Sequence, residues 1–437
     1  MDALDAHVLL EHEARALLAR LARVKPFALY ETMVPAARPA TPAQAAIEAY
    51  LARGRRELRA RVTAYLSWIR GSGRQATPEQ AQRRFLFLRL RFNVVLSDFD
   101  VFADVLTQRS EYDTGPWLAG LDVVAADALR LAGLPQPPPS VICYLDRGHG
   151  AAIRRARARL PGGGASPVAI IRIPRERMIG SGIASSLVHE VGHQGAALLD
   201  LVNALREPLA RMQAGAGDDA AAWQLWDRWI SEIVADLWSI ARIGVGSTMG
   251  LMTIVSLPRP FVFHMTAGDP HPIPWMRVRL SCAIGHALYP DSQWKRLSDL
   301  WAAFYPLRGE MTTTQRHTIA ALEQTLPTFV RFLLSQRPPA LGGRTLYEAF
   351  RSDDRNPAML RARYGQGIDA FHRLRATAPA LACAVIGQAR ADGAITPEHE
   401  SRLLGDLLMY WALRAALHTT QFVADRSRPR AGLAAAS

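Results

Sequence analysis

The stretch SSLVHEVGHQ, residues 185–194, is the most informative part of this 437-residue sequence. It carries the pattern H-E-x-x-H with His189, Glu190 and His193, inside a helix that we predict over 183–201. Residues four apart lie on one face of a helix, so both imidazoles can reach a single metal ion. Neutral imidazole is a common zinc ligand, and Glu190 can accept a proton from water bound to the metal. The stretch therefore predicts one Zn²⁺ ion with a general base beside it.

A second segment, WDRWISEIVADLW, supplies the acids that such a site needs, and we predict a helix over 220–243 around it. Glu232 and Asp236 are four apart and share a face of this helix. Glu232 is the predicted third metal ligand, and Asp200 and Glu207 are the alternatives. We expect Asp236 to accept a hydrogen bond from a ligand imidazole and so fix its tautomer. Two histidines and one carboxylate leave a fourth position open, as in catalytic zinc sites.

The pattern H-E-x-x-H at 189–193 followed by E-x-x-A-D at 232–236 resembles the gluzincin metallopeptidases, which are zincins with a glutamate as third ligand. The downstream H-P-x4-R element with His271 and Arg277 is similar to an element of CAAX-processing and heat-shock-type membrane peptidases and their soluble relatives. The resemblance covers residues 140–280. It implies that His271 or Arg277 lies near the metal and stabilises the oxyanion or gates the zinc, and a structural role for His271 stays open. It also implies a zincin-like α+β catalytic core.

We predict a mainly α protein with four regions. These are a helical N-terminal domain over 1–134, a zincin-like metallopeptidase core over 135–305, a helical C-terminal region packing on the core over 306–425, and a disordered tail over 426–437.

Two β-branched runs at 140–145 and 168–173 predict a small sheet ahead of the H-E-x-x-H helix. An Arg-rich helix is expected between them, over 151–160. We expect the second run to be an edge strand along which a substrate backbone pairs above the metal.

Composition excludes several classes of protein. At 49% hydrophobic and 21% charged residues the chain can build a large core, which argues against a disordered chain. Three widely spaced cysteines without a C-x-x-C motif are typical of reduced thiols, not of a disulfide scaffold. The N-terminus carries acids from its second residue, unlike a signal peptide, and the longest uncharged stretch, 243–258, is too short to span a bilayer. We therefore expect a cytoplasmic protein without a membrane span.

The net charge of +13 permits a nucleic-acid partner without requiring one. Tyr65 and Trp68 follow one arginine cluster, but their spacing fits the apolar face of a helix, so we interpret the arginines as a solvated face. The predicted function is zinc-dependent hydrolysis of peptides or proteins; the prediction favours an endopeptidase, and exopeptidase action stays open. One alternative is a catalytically silent zincin-fold scaffold or sensor that binds a protein partner through its helical flanks. Another is a basic nucleic-acid-binding protein with a structural metal.

Overall fold

A computed structural model describes residues 5–24, 27–131, 138–147, 151–174, 180–266, 268–308, 311–364 and 368–427. This part of the chain is mainly helical with one small sheet, which confirms the predicted mainly α fold class with a small sheet ahead of the H-E-x-x-H helix. The helices are α1 Ala6–Arg23, α2 Thr41–Arg70, α3 Pro78–Thr107, α4 Thr114–Leu129, α5 Ser181–Leu198, α6 Leu201–Ala214, α7 Ala220–Arg228, α8 Ile230–Ile243, α9 Val245–Val255, α10 Arg259–Val262, α11 Pro274–Leu288, α12 Ser292–Phe304, α13 Thr313–Ser335, α14 Leu346–Phe350, α15 Pro357–Arg363, α16 Ile368–Leu374, α17 Pro379–Ala391 and α18 Pro397–Ser427.

The chain divides into two compact units. The first comprises Met1–Gly115, Pro139–Tyr144 and Arg154–Ile170; the second comprises Pro116–Pro138, Leu145–Ile153 and Ile171–Ser437. All the predicted site residues belong to the second unit. The limits of the four predicted regions stay predictions. Most of the predicted disordered tail, residues 428–437, lies outside the described residues, and its first two residues continue α18.

The first unit is built on α1, α2 and α3, which bury a shared apolar core that includes Leu17, Leu51 and Phe92. Helix α3 begins with a capping box in which the Thr77 hydroxyl accepts from the Gln80 amide and the Gln80 side chain accepts from the Thr77 amide. This exchange satisfies two of the backbone donors that a helix start leaves without partners.

The sheet has three strands, β1 Val141–Asp146, β2 Ala152–Arg154 and β3 Ala169–Pro174, in the order β1-β3-β2. The prediction that 168–173 forms an edge strand was therefore wrong, because β3 is the central strand and pairs on both sides. The predicted helix over 151–160 was also wrong. Part of it pairs as β2, and Arg157 has φ of 66°, a left-handed conformation that a right-handed helix does not contain.

In the second unit α5 packs against α8 and α9, and α11 packs against α8 and α9 as well. The single helix predicted over 220–243 is interrupted at Trp229, which separates α7 from α8. Helical hydrogen bonds continue across the break, from the Trp229 amide to Leu225 and from the Ile233 amide to Trp229. The four helices α5, α8, α9 and α11 form the scaffold of the candidate site.

Two further expectations from the sequence concern membranes and thiols. Within the described residues, no helix combines the length and the apolar character that crossing a bilayer requires. Cys143, Cys282 and Cys383 are buried and form no disulfide among the described residues. Burial raises the pKa of Cys282 and of Cys383 to about 12, so these two thiols are unreactive at neutral pH.

Candidate metal centre

Helices α5 and α8 approach each other closely at a contact made by small residues. A Cβ atom added to Gly192 would lie 2.9 Å from the Ala235 Cα and 2.9 Å from the Trp238 Cβ. A Cβ atom on Gly195 would overlap the Trp238 ring. Glycine at both positions therefore allows a helix separation that any side chain would increase. The faces that carry the predicted ligands meet because of this contact.

The three predicted ligands lie together. The donor atoms of His189, His193 and Glu232 are all within 4.8 Å of one another. Nε2 of His189 lies 3.3 Å from Oε2 of Glu232, and Nε2 of His193 lies 3.2 Å from Oε1. Ligands bound at zinc distances around a tetrahedral ion are separated by about 3.3 Å. The imidazole–carboxylate separations and the chemistry of the donors thus fit one metal ion, and this group can hold one.

Asp236 and Arg277 contact the predicted ligands: Asp236 lies against His189, and Arg277 against Glu232. The Asp236 carboxylate lies 2.9 Å from Nδ1 of His189, and it accepts two hydrogen bonds from Arg277, at 2.7 Å from Nε and 2.9 Å from Nη2. Nη2 of Arg277 also donates to Glu232 over 3.3 Å. In the neutral ring, a hydrogen bond from Nδ1–H to Asp236 leaves the Nε2 lone pair of His189 facing Glu232. The arginine in turn fixes both carboxylates.

Burial and charge act in opposite directions on these groups. Burial disfavours the cation at His189, yet its hydrogen bond to Asp236 and the charge of that carboxylate raise the pKa of His189 to about 9. Burial alone would raise the pKa of Glu232, but hydrogen bonds from His189 and His193 lower it. Burial is likewise outweighed at Asp236, where the Arg277 charge and the His189 hydrogen bond lower the pKa to about 2.

Glu190 differs from the other two acids of the site. It is buried, and burial raises its pKa above the ordinary value for glutamate despite the nearby histidines and arginine. A carboxyl group with a raised pKa is suited to accept a proton and return it near neutral pH. Glu190 thus follows a predicted metal ligand directly in the sequence and has a raised proton affinity, whereas Glu232 is held as an anion.

His271 lies at the edge of the group, just before α11. Its Nε2 atom is 3.7 Å from Oε2 of Glu232, and its Nδ1 atom is 2.8 Å from the Asp269 carboxylate. The side chain of His271 is 56% exposed, whereas that of Arg277 is only 12% exposed. The H-P-x4-R element therefore brings both residues to Glu232, one open to solvent and one enclosed.

The alternatives for the third ligand lie elsewhere. Asp200 precedes α6 and accepts a hydrogen bond from Asn203 at 2.6 Å. Glu207 is paired with Arg211 at 2.6 Å and is exposed. Neither belongs to the metal-binding group found among the described residues.

Sequence reasoning missed three features of this site. Asp269 orients His271 through a hydrogen bond to its ring. The sequence could have indicated this contact only by the spacing of two residues between them. Gly192 and Gly195 set the helix contact, and the spacing of glycines along α5 could have indicated this. A cavity of about 500 Å³ also opens beside the group, with His271 and Arg277 in its wall. Its other wall residues come from separate segments of the chain, so no local sequence pattern predicts the cavity.

No protein-family model, curated protein or solved structure matches this chain. The gluzincin resemblance therefore stays a prediction that rests on the motif residues.

Proposed function

We propose that this protein is a zinc-dependent peptidase of gluzincin type that hydrolyses peptide bonds in peptides or proteins of a reducing cytoplasm. The observation that supports the proposal most strongly is the convergence of His189, His193 and Glu232 beside the buried acid Glu190. Two imidazoles and one carboxylate form the ligand set of many catalytic zinc sites, with a further position left open. A purely structural zinc site has four protein ligands, whereas the described residues bring together three.

The chemistry divides among the residues of the site. Bound zinc would supply a Lewis acid that polarises a carbonyl and lowers the pKa of water to near 7. Glu190 takes the proton of the attacking water on its carboxylate and delivers it to the nitrogen of the leaving amine. Burial of Glu190 favours this cycle because it brings the pKa of the acid closer to neutrality.

The two residues of the H-P-x4-R element take different roles in this proposal. Arg277 is committed to Asp236 and Glu232 through three hydrogen bonds, so it acts as a positioning residue. His271 is exposed beside Glu232, and Asp269 holds its Nδ1 atom. Because the Asp269 carboxylate accepts from Nδ1–H, Nε2 carries a proton only in the imidazolium form of the ring. In that form Nε2–H can donate to the oxygen that gains negative charge as the peptide carbonyl is attacked.

Glu190→Gln tests the proposal. The variant should retain one zinc per chain, because Glu190 is not in the ligand group, while kcat on a peptide library falls by about 10²–10⁴-fold. Elemental analysis measures the zinc, and mass spectrometry of the peptide products measures cleavage with and without chelator. Glu207→Gln, on the exposed face of α6, is the matched control and should keep full activity.

Full turnover by Glu190→Gln would contradict the role of Glu190. If the wild-type chain binds zinc and cleaves none of the library, the scaffold or sensor alternative replaces the peptidase.

A further inference from the structure

The cavity beside the candidate metal centre adjoins the ligand group directly. Its wall includes His271 and Arg277, which lie 3.7 Å and 3.3 Å from Oε2 of Glu232. Its volume of about 500 Å³ falls within the range of ligand pockets, about 300–1,000 Å³. A substrate held at the metal centre would therefore extend into this cavity.

Most of the wall is apolar. Large hydrophobic side chains line it from α7, from the end of α9 and the residues after it, from α10 and from the segment between α10 and α11. They are Leu225, Val255, Leu257, Phe261, Met265 and Ile273. Leu257 and Phe261 are 42% and 59% exposed. Such a concave apolar surface gains free energy when a ligand removes it from water, so it suits a large apolar side chain.

One cation of the wall is available to a ligand. Arg228, the last residue of α7, is exposed, and its guanidinium makes no hydrogen bond or ion pair with any other described residue. Its neighbour Asp227 pairs with Arg206 at 3.2 Å. The second arginine of the wall, Arg277, is occupied by the carboxylates of the metal centre. Asp269 is the one acid among the described wall residues, and its carboxylate is hydrogen-bonded to His271. A guanidinium with free donors binds a carboxylate through two parallel hydrogen bonds.

We propose that this cavity is the specificity pocket of the peptidase. It accepts a large apolar side chain of the peptide next to the bond that is cleaved, and Arg228 pairs with a carboxylate of the same peptide. The carboxylate is that of the peptide C-terminus or of an acidic side chain, since both offer the same chemistry. The inference rests on the proposed function, but it concerns binding, which can be measured without cleavage.

The test is calorimetric titration of the zinc-loaded Glu190→Gln protein with short blocked peptides. Acetyl-Ala-Phe as the free acid should bind about 10–100-fold more tightly than acetyl-Ala-Ala, because the phenyl group is buried against the apolar wall. The C-terminal amide of acetyl-Ala-Phe should lose about tenfold or more, because it offers Arg228 no charged acceptor. Acetyl-Phe-Glu-amide distinguishes a C-terminal carboxylate from a side-chain carboxylate. It should bind as tightly as the free acid of acetyl-Ala-Phe only if Arg228 pairs with an acidic side chain.

Paired variants assign the two preferences to residues. Arg228→Gln should abolish the preference for acid over amide, and Arg296→Gln, an exposed arginine on α12 outside the cavity wall, should keep it. Leu257→Asp should abolish the preference for phenylalanine over alanine. Leu300→Asp is its control, because Leu300 is 44% exposed and also lies outside the cavity wall.

An acid preference that survives Arg228→Gln would overturn the role of Arg228 and assign the carboxylate to the metal instead. Equal binding of the phenylalanine and alanine peptides would overturn the pocket itself. A wild-type chain that binds these peptides selectively yet cleaves none would contradict the proposed function and leave the pocket standing.

Discussion

His189 shows at the scale of one residue how this site is organised. One ring nitrogen faces Asp236 at 2.9 Å and the other faces Glu232 at 3.3 Å, so a single side chain links a supporting acid to the ligand group. Because Arg277 holds Asp236 through two bonds, the ring orientation depends on an arginine that itself lies outside the ligand group. These contacts thus fix the orientation of the His189 ring, with Nδ1 towards Asp236 and Nε2 towards Glu232.

Asp236→Asn should weaken zinc binding by about 10–100-fold, because the amide no longer supports the His189 tautomer with a negative charge. A competition titration against a chromophoric chelator measures the dissociation constant, and circular dichroism confirms that the variant is folded. Asp299→Asn, at an exposed pair with Lys295, is the control. Unchanged zinc affinity in Asp236→Asn would show that Asp236 does not support a ligand.

His271→Ala should separate catalysis from metal binding. We expect kcat to fall by about 10²–10³-fold, the effect of removing one donor to a developing oxyanion, while the zinc content stays at that of the wild type. The measurement is a comparison of kcat and metal content in the same preparations. Loss of zinc with no separate effect on kcat would instead make His271 a residue that holds the metal.

At the scale of elements, the site depends on the contact between α5 and α8. The placement of His189 and His193 on one helical face, and of Glu232 and Asp236 on another, could be predicted from the sequence, because a four-residue spacing is a local property of a helix. The meeting of the two faces could not, because it depends on Gly192 fitting against another segment.

The errors made from the sequence have the same non-local origin. The run at 168–173 predicted a strand correctly, but its central place in the sheet depends on which strands pair with it. The expected helix over 151–160 does not form: Ala152–Arg154 pair as β2, and Arg157 has a left-handed backbone conformation that composition does not show. The cavity wall draws on separate segments of the second unit, so neither its apolar character nor Arg228 was predicted.

Gly192→Ala tests the helix contact. The added methyl group should push α5 from α8, lower the free energy of unfolding by about 1–3 kcal/mol and weaken zinc binding. Gly405→Ala is a matched control, because Gly405 lies in α18 with open space around its Cβ position. That change should leave zinc affinity unaltered and stabilise its helix by about 0.5–1 kcal/mol. Chemical denaturation and chelator competition measure both effects, and equal behaviour of the two variants would refute the contact.

At the scale of the whole molecule, every proposed metal ligand and catalytic residue belongs to the second unit. Zinc bound there stabilises the folded state by an amount that rises with the logarithm of its concentration, about 2.7 kcal/mol at a hundred times the dissociation constant. Without the ion, the partners of the buried charges of Glu232 and Asp236 among the described residues are histidines and an arginine. The second unit should therefore respond to metal removal more strongly than the first.

Hydrogen exchange followed by mass spectrometry measures this response along the chain. Chelation should speed amide exchange in peptides from α5 and α8, and zinc should restore their protection, while peptides from α2 and α3 stay unchanged. An equal change in both units, or no change in α5 and α8, would contradict a metal centre formed by these two helices.

The most direct test of the central claim is anomalous diffraction from crystals of the zinc-loaded protein, with data collected on both sides of the zinc absorption edge. We predict a single peak bound to the imidazoles of His189 and His193 and to the carboxylate of Glu232, at bond lengths of about 2.0–2.2 Å. A peak at other residues, or no peak at this group in protein that holds stoichiometric zinc, would contradict the account.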